Sequence, residues 1–155
     1  MSLPLLICLT MLTIAAIYVP QPLLPSIAQE LAIANSQAAL LTTAVFLPLS
    51  VLPLVYGWII ESLNTKRILR VSLAVLMLTS LGMFGANSFP VLFILRMLQG
   101  VVLPAVLTSL TTHISTTAQP HRVQRLMSWY IAATIVGGLL GRVLSGAIAT
   151  WLGWR

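Results

Sequence analysis

Three groups of polar residues stand out in a strongly apolar chain. Arg96 and Gln99 are three apart, so a helix turns both to one side. Arg142 lies in a glycine-rich apolar run, and Tyr18 and Gln21 stand among three prolines, Pro20, Pro22 and Pro25. An arginine supplies a fixed charge and five donors, while glutamine and tyrosine offer both donors and acceptors. Such a set can recognise a polar molecule. It does not make an enzyme: the sequence has no Ser/His/Asp constellation, no phosphate-cradling glycine loop and no paired carboxylates. His113 and His121 lie near one loop with no third ligand, and the single Cys8 sits in an apolar run. No metal site, disulfide framework or cofactor is expected.

These residues need elements to hold them, and composition says which. The chain is 59% hydrophobic and 6% charged, with mean hydropathy +1.03, whereas an ordinary soluble domain is about 25% charged. A soluble fold needs a polar surface that this chain cannot supply, so an all-α polytopic membrane bundle is expected. At about 20 apolar residues per crossing, there is room for five or six helices. The eight Lys/Arg outnumber the two acids, Glu30 and Glu61, for a net charge of +6. The bases are scattered near helix ends, which fits positive-inside topology and excludes a nucleic-acid surface. Residues 1–19 have no basic start and no small-x-small cleavage site, and the apolar run is too long for a secretory signal. They read as the first membrane helix.

Five helices are expected, over about residues 3–25, 38–60, 68–86, 90–112 and 126–149. The prolines at 20, 22 and 25 disturb the end of the first. Either they end it at the outer interface, or they leave irregular backbone that survives only against protein or a water-filled cavity, which would turn Tyr18 and Gln21 inward. Asn35 or Ser36 can cap the second helix, and Pro48 and Pro53 predict a kink in it. Pro90 suits the start of the fourth helix. Arg96 lies about six residues beyond it, roughly 9 Å along the axis. It could snorkel to the outer interface. A membrane arginine costs about 2.5–3.5 kcal/mol unless it meets a cavity or partner, and the positive-inside bias favours the cavity. In the fifth helix Ala133, Gly137, Gly141, Ser145 and Ala149 recur every four residues, beside a second stripe of Gly138, Arg142 and Gly146. Small residues at this spacing let another helix approach closely. Lys66, Arg67 and Arg70 fall in one loop and Arg122 and Arg125 in another. Both loops lie on one side of a five-helix alternation, so they and the N-terminus are expected in the cytoplasm.

The motifs resemble the N-terminal half of the major facilitator superfamily, in its drug- and sugar-efflux (proton antiporter) branch. That family's first cytoplasmic loop reads Gly-x-x-x-Asp-Arg-x-Gly-Arg-Arg/Lys. Here Gly57, Glu61, Lys66 and Arg67 keep the frame, Ser62 and Thr65 replace two arginines, and Asn64 stands where glycine is usual. Asparagine is the next residue most willing to enter a left-handed turn. Arg96-Met97-Leu98-Gln99-Gly100 reproduces the family's Arg-x-x-Gln-Gly. The run from Gly137 to Gly146 resembles the antiporter motif, with Arg142 replacing its proline and Ser145 a glycine. Gly153-Trp154-Arg155 resembles the turn that closes the family's fifth helix.

The resemblance implies a small-molecule efflux transporter, drug or sugar-like, of the inner (plasma) membrane, working by alternating access. It implies a gate at Gly57, Glu61, Lys66 and Arg67 and close helix packing at Gly137, Gly141, Ser145 and Gly146. The inward polar residues would be Tyr18, Gln21, Arg96, Gln99 and Arg142, a basic, aromatic-lined cavity suited to anionic or neutral polar cargo. No Asp or Glu lies inside an expected helix; His113, at the inner end of the fourth, is the remaining candidate for carrying a proton. The family builds transporters from two six-helix bundles. Five helices would be one short of a bundle, and no second bundle is expected within these 155 residues. A C-terminal transporter half is therefore an expected partner beside the lipid bilayer. The alternative expectation is a truncated, non-transporting remnant or one subunit of a split transporter.

Overall fold

The structure, a computed structural model, describes the backbone of residues 3–62 and 64–153, and of these all side chains except 59–62 and 152. The described chain is an all-α membrane bundle of six helices: α1 Leu3–Tyr18, α2 Leu24–Glu30, α3 Asn35–Ser62, α4 Thr65–Phe84, α5 Phe89–Thr117 and α6 Pro120–Leu152. The last four are long and apolar enough to cross a membrane, and α1 is a shorter apolar helix. Their outward faces carry exposed Leu54, Trp58, Leu78, Ile135 and Trp151. Large apolar side chains on the outside suit a lipid solvent, not water.

The first expected helix, 3–25, is two. Pro20 and Pro22 have no N–H to donate, so the ladder stops at Tyr18 and residues 19–23 form a turn. Pro25 falls in the first turn of α2, where the missing donor does no harm. α2 closes with Ile33 N–H donating to the Ala28 carbonyl at 3.0 Å and Ala32 N–H to Gln29 at 3.3 Å, a Schellman arrangement that puts Ala32 at φ 50°. α3 begins at Asn35, so neither Asn35 nor Ser36 stands outside it as a cap. Instead the Gln37 side chain accepts from Ala34 N–H at 3.3 Å, the returning half of a capping box.

The α3–α4 and α5–α6 connections are shorter than the polar stretches in them suggest. α5 and α6 leave only Ala118 and Gln119 between them, with Pro120 in the first turn of α6. Asn64 is extended (φ −71°, ψ 101°) and not left-handed. Its side chain accepts from the N–H groups of Lys66 at 3.1 Å and Arg67 at 3.4 Å. The residue in the family's glycine position therefore caps α4, because its side-chain oxygen meets two of the helix's free donors.

Close contacts give the helix directions. A Cβ added at Gly137 would lie 2.7 Å from the Met11 carbonyl oxygen, at Gly141 3.0 Å from Ala15 Cα, and at Gly146 3.6 Å from Pro22 Cβ. The two numberings climb together, so α1 and α6 run parallel. Likewise Arg96 meets Leu41 and Gly100 meets Val45, so α3 and α5 run parallel. α4 and α5 are antiparallel, with Gln99 against Ser80 and Leu95 against Gly82. Parallel α1 and α6 require an even number of reversals between them, which the alternating directions of α3, α4 and α5 supply. α2 is a corner piece: its Ile27, with Leu23, packs on Leu41, Ala86 and Leu92 at the end where α3 and α5 begin. α5 is the central helix, with 44% of its most apolar window buried against 17–28% for α3, α4 and α6. Ile14, Ile17, Val45, Leu76 and Leu103 form the core around it.

Candidate functional site

Both membrane arginines converge on the C-terminal end of α1. Ending a helix at prolines leaves carbonyls without donors. The Ala16 carbonyl would normally take the N–H of residue 20, which is proline. The Ile17 carbonyl would take Gln21 N–H, but that group turns to Tyr18 O at 3.1 Å. Arg96, 1% exposed, fills both vacancies from α5. Its Nη1 donates to Ala16 O at 3.1 Å and its Nη2 to Ile17 O at 2.9 Å. Nε donates to Leu41 O at 3.3 Å, and Nη1 also to Gln99 Oε1 at 2.8 Å. Its acceptors are all neutral, and the negative end of the α1 dipole favours a cation there. Gln99, also 1% exposed, passes the chain of bonds to Ser80 Oγ at 3.1 Å. It borders an apolar recess of about 210 Å³ between α1, α2 and α4.

Arg142 grips the same corner from α6. Its Nε donates to Gln21 Oε1 at 3.0 Å, and its guanidinium carbon stands 4.0 Å from the centre of the Tyr18 ring, a cation–π distance. Tyr18 in turn meets Phe46 of α3, ring centres 6.2 Å apart and tilted by 55°. Gly138 makes room for this: a Cβ there would come 3.2 Å from the Tyr18 ring. Arg142, Tyr18 and Gly138 border a groove of about 440 Å³ with Ile14, Thr134, Ile135 and Leu139. Arg142 is exposed.

Of the sequence-selected residues, Tyr18, Gln21 and Arg142 therefore come together on one open side of α1. Arg96 and Gln99 form a second, buried pair behind it, joined to the first through two α1 carbonyls. Gly137 and Gly141 sit where α6 touches the α1 backbone, and Ser145 returns its hydroxyl to Gly141 O at 2.6 Å. Gly146 lies more loosely against Pro22. At the gate stretch Gly57 has open space around it, and Lys66 and Arg67 are exposed. The Glu61 side chain and residues Trp154 and Arg155 lie outside the described residues. Sequence reading missed the carbonyls of Ala16 and Ile17 as binding groups. The signal was available: a proline at position 20 orphans the acceptor four residues earlier.

The chain is similar to known proteins over most of its length. The model of the Major Facilitator Superfamily matches residues 6–155. The uncharacterized MFS-type transporter YybF of Bacillus subtilis (strain 168) is 28% identical over 143 residues, covering 92% of this chain and 35% of YybF. The inner membrane transport protein YnfM of Escherichia coli (strain K12) is 28% identical over 145 residues, covering 92% of this chain and 34% of YnfM. An uncharacterized transporter of Buchnera aphidicola subsp. Schizaphis graminum (strain Sg) is 26% identical over 139 residues, covering 90% and 34%. The chain spans about a third of the length of these relatives. Parallel α1 and α6 helices, a central helix carrying Arg96-x-x-Gln99-Gly100 and this match over nearly every residue lead to one assignment: the chain belongs to the Major Facilitator Superfamily.

Proposed function

We propose that this chain supplies the first five membrane crossings of the N-terminal bundle of a facilitator-type transporter, which exports a small molecule across the inner membrane by alternating access. The observation that carries the reading is the exposed Arg142 guanidinium beside Tyr18 and Gln21. It stands about ten residues, or roughly 15 Å, from the end of α6, within a hydrocarbon core about 30 Å thick. A charge facing lipid at that depth costs about 2.5–3.5 kcal/mol. The cost falls if the groove faces water and a second bundle. Relatives nearly three times as long, two of them named as transporters of the MFS type or inner membrane, support such a partner. On this reading Tyr18, Gln21 and Arg142 meet the cargo, and Arg96 and Gln99 hold the broken α1 that presents two of them. The Gly57–Arg67 stretch, with Glu61, Lys66 and Arg67, gates the cytoplasmic end. Five bases, Lys66, Arg67, Arg70, Arg122 and Arg125, at the two connections of that end favour a cytoplasmic N-terminus.

Flux in proteoliposomes tests the reading. The chain is reconstituted alone and with a co-expressed C-terminal half, and ethidium, arabinose and 1-naphthoate are offered as cargo. Flux of at least one, lowered tenfold or more by Tyr18→Ala, is expected with the second half present. No flux of any of the three in either preparation would sink the proposal.

A further inference from the structure

We propose that the α1–α6 groove binds an amphipathic organic monoanion, its carboxylate on the terminal nitrogens of Arg142 and its apolar body on Ile14, Ile135 and Leu139. The proposal rests on reading this face as substrate-facing, and it goes further by choosing the anion over a neutral or cationic cargo.

The donors and acceptors around the groove select its ligand. The Nε of Arg142 is spent on Gln21, and the plane of the guanidinium lies against Tyr18. Nη1 and Nη2 make no hydrogen bond among the described residues. One edge of the fork is therefore free, held in orientation by a ring contact and one hydrogen bond. A planar edge with paired N–H donors matches the two oxygens of a carboxylate. The other polar groups among the groove's described walls are the Tyr18 hydroxyl and that of Thr134, which donates to Ile131 O at 2.7 Å. The remaining walls are apolar. Among the described residues no carboxylate borders the groove; the chain's two acids are Glu30 in α2 and Glu61 near the far end of α3. A cation would meet a like charge and no counter-charge. A neutral ligand that displaced water from the guanidinium would leave its charge unneutralised. A monoanion with an apolar body satisfies the charge and the walls together, and about 440 Å³ falls in the usual range for small-molecule sites.

The test is binding of 1-naphthoate against the isosteric neutral 1-naphthamide, measured by equilibrium dialysis on the purified chain in nanodiscs of zwitterionic lipid. Naphthoate is expected to bind at least tenfold more tightly than the amide. Arg142→Gln is expected to erase that preference, and Arg142→Lys, which keeps the charge without the fork, to keep only part of it. Should Arg142→Gln lose its helical circular dichroism, the acid-to-amide ratio on the unmodified chain and on Arg142→Lys decides alone. Equal binding of the two probes, with both weakened by Tyr18→Ala, overturns the anion assignment and leaves the groove as a ligand site. Naphthoate binding that Arg142→Gln leaves unchanged overturns it as well. Flux of ethidium or arabinose without naphthoate flux retains the transport reading and removes this one.

Discussion

Arg96 donates to the carbonyl of Ala16 at 3.1 Å, the acceptor that Pro20 leaves without a donor in the α1 ladder. A break in one helix and a charge in another thus answer each other across 80 residues of sequence. Each alone is unfavourable in a bilayer: unsatisfied backbone cannot face lipid, and a bare guanidinium cannot either. Together they fix the corner that carries Tyr18 and Gln21.

This pairing predicts energetic coupling. Arg96→Gln should destabilise the chain by on the order of 3 kcal/mol, since buried acceptors lose their donor. Pro20→Ala restores an N–H for Ala16 O, so the same arginine change should cost less in that background. A coupling of about 1 kcal/mol is expected, given the modest size of hydrogen-bond terms in membrane proteins. A double-mutant cycle by unfolding in detergent measures it, and strict additivity would contradict the pairing.

The glycines of α6 should not be equivalent. A methyl at Gly137 would meet Met11 backbone at 2.7 Å, and neither helix axis can yield without losing contacts elsewhere. Gly137→Ala should cost about 1–3 kcal/mol, the usual range for overpacking. Gly146→Ala places its methyl at an ordinary 3.6 Å from Pro22 and should be nearly neutral. Thermal unfolding of the two variants in one detergent gives the comparison; equal losses would count against the contact pattern.

Ala32 offers a stabilising change. It occupies the left-handed position after α2, at φ 50°, where a Cβ is penalised and glycine is not. Ala32→Gly should raise stability by roughly 0.5–1 kcal/mol after glycine's greater chain entropy is subtracted. An upward shift in Tm is the readout, and a fall would mean that the corner adopts another conformation.

Orientation can be read by labelling. In a Cys8→Ser background, which removes the one native thiol, a cysteine introduced by Thr65→Cys should react with an impermeant maleimide only from the cytoplasmic side. Labelling of intact cells from outside would reverse the proposed topology. The capping role of Asn64 is read by stability instead: Asn64→Ala should cost about 1 kcal/mol in detergent unfolding.

Much of this protein is decided by its sequence alone. A chain with two acids, eight strong bases and a mean hydropathy of +1.03 has too little polar surface for water, so helices in a bilayer follow. Spacing is local information, which is why the four-residue stripe from Ala133 to Ala149 and the Arg96–Gln99 pair are legible in the residue order itself. Helix ends are less so. The polar residues 120–125 form the first turns of α6 outside its apolar span, and a proline in the first turn rather than polarity marks where the helix begins. Only the tertiary structure decided which polar residues share a site. The sequence marks Tyr18, Gln21, Arg96, Gln99 and Arg142 alike as inward candidates. The fold separates them, because α1 lies between α5 and α6: Arg96 reaches its backbone from one side, and Arg142 its side chains from the other. Which carbonyl a proline orphans is written in the chain, but which distant donor fills it depends on helix packing, and no local pattern encodes that.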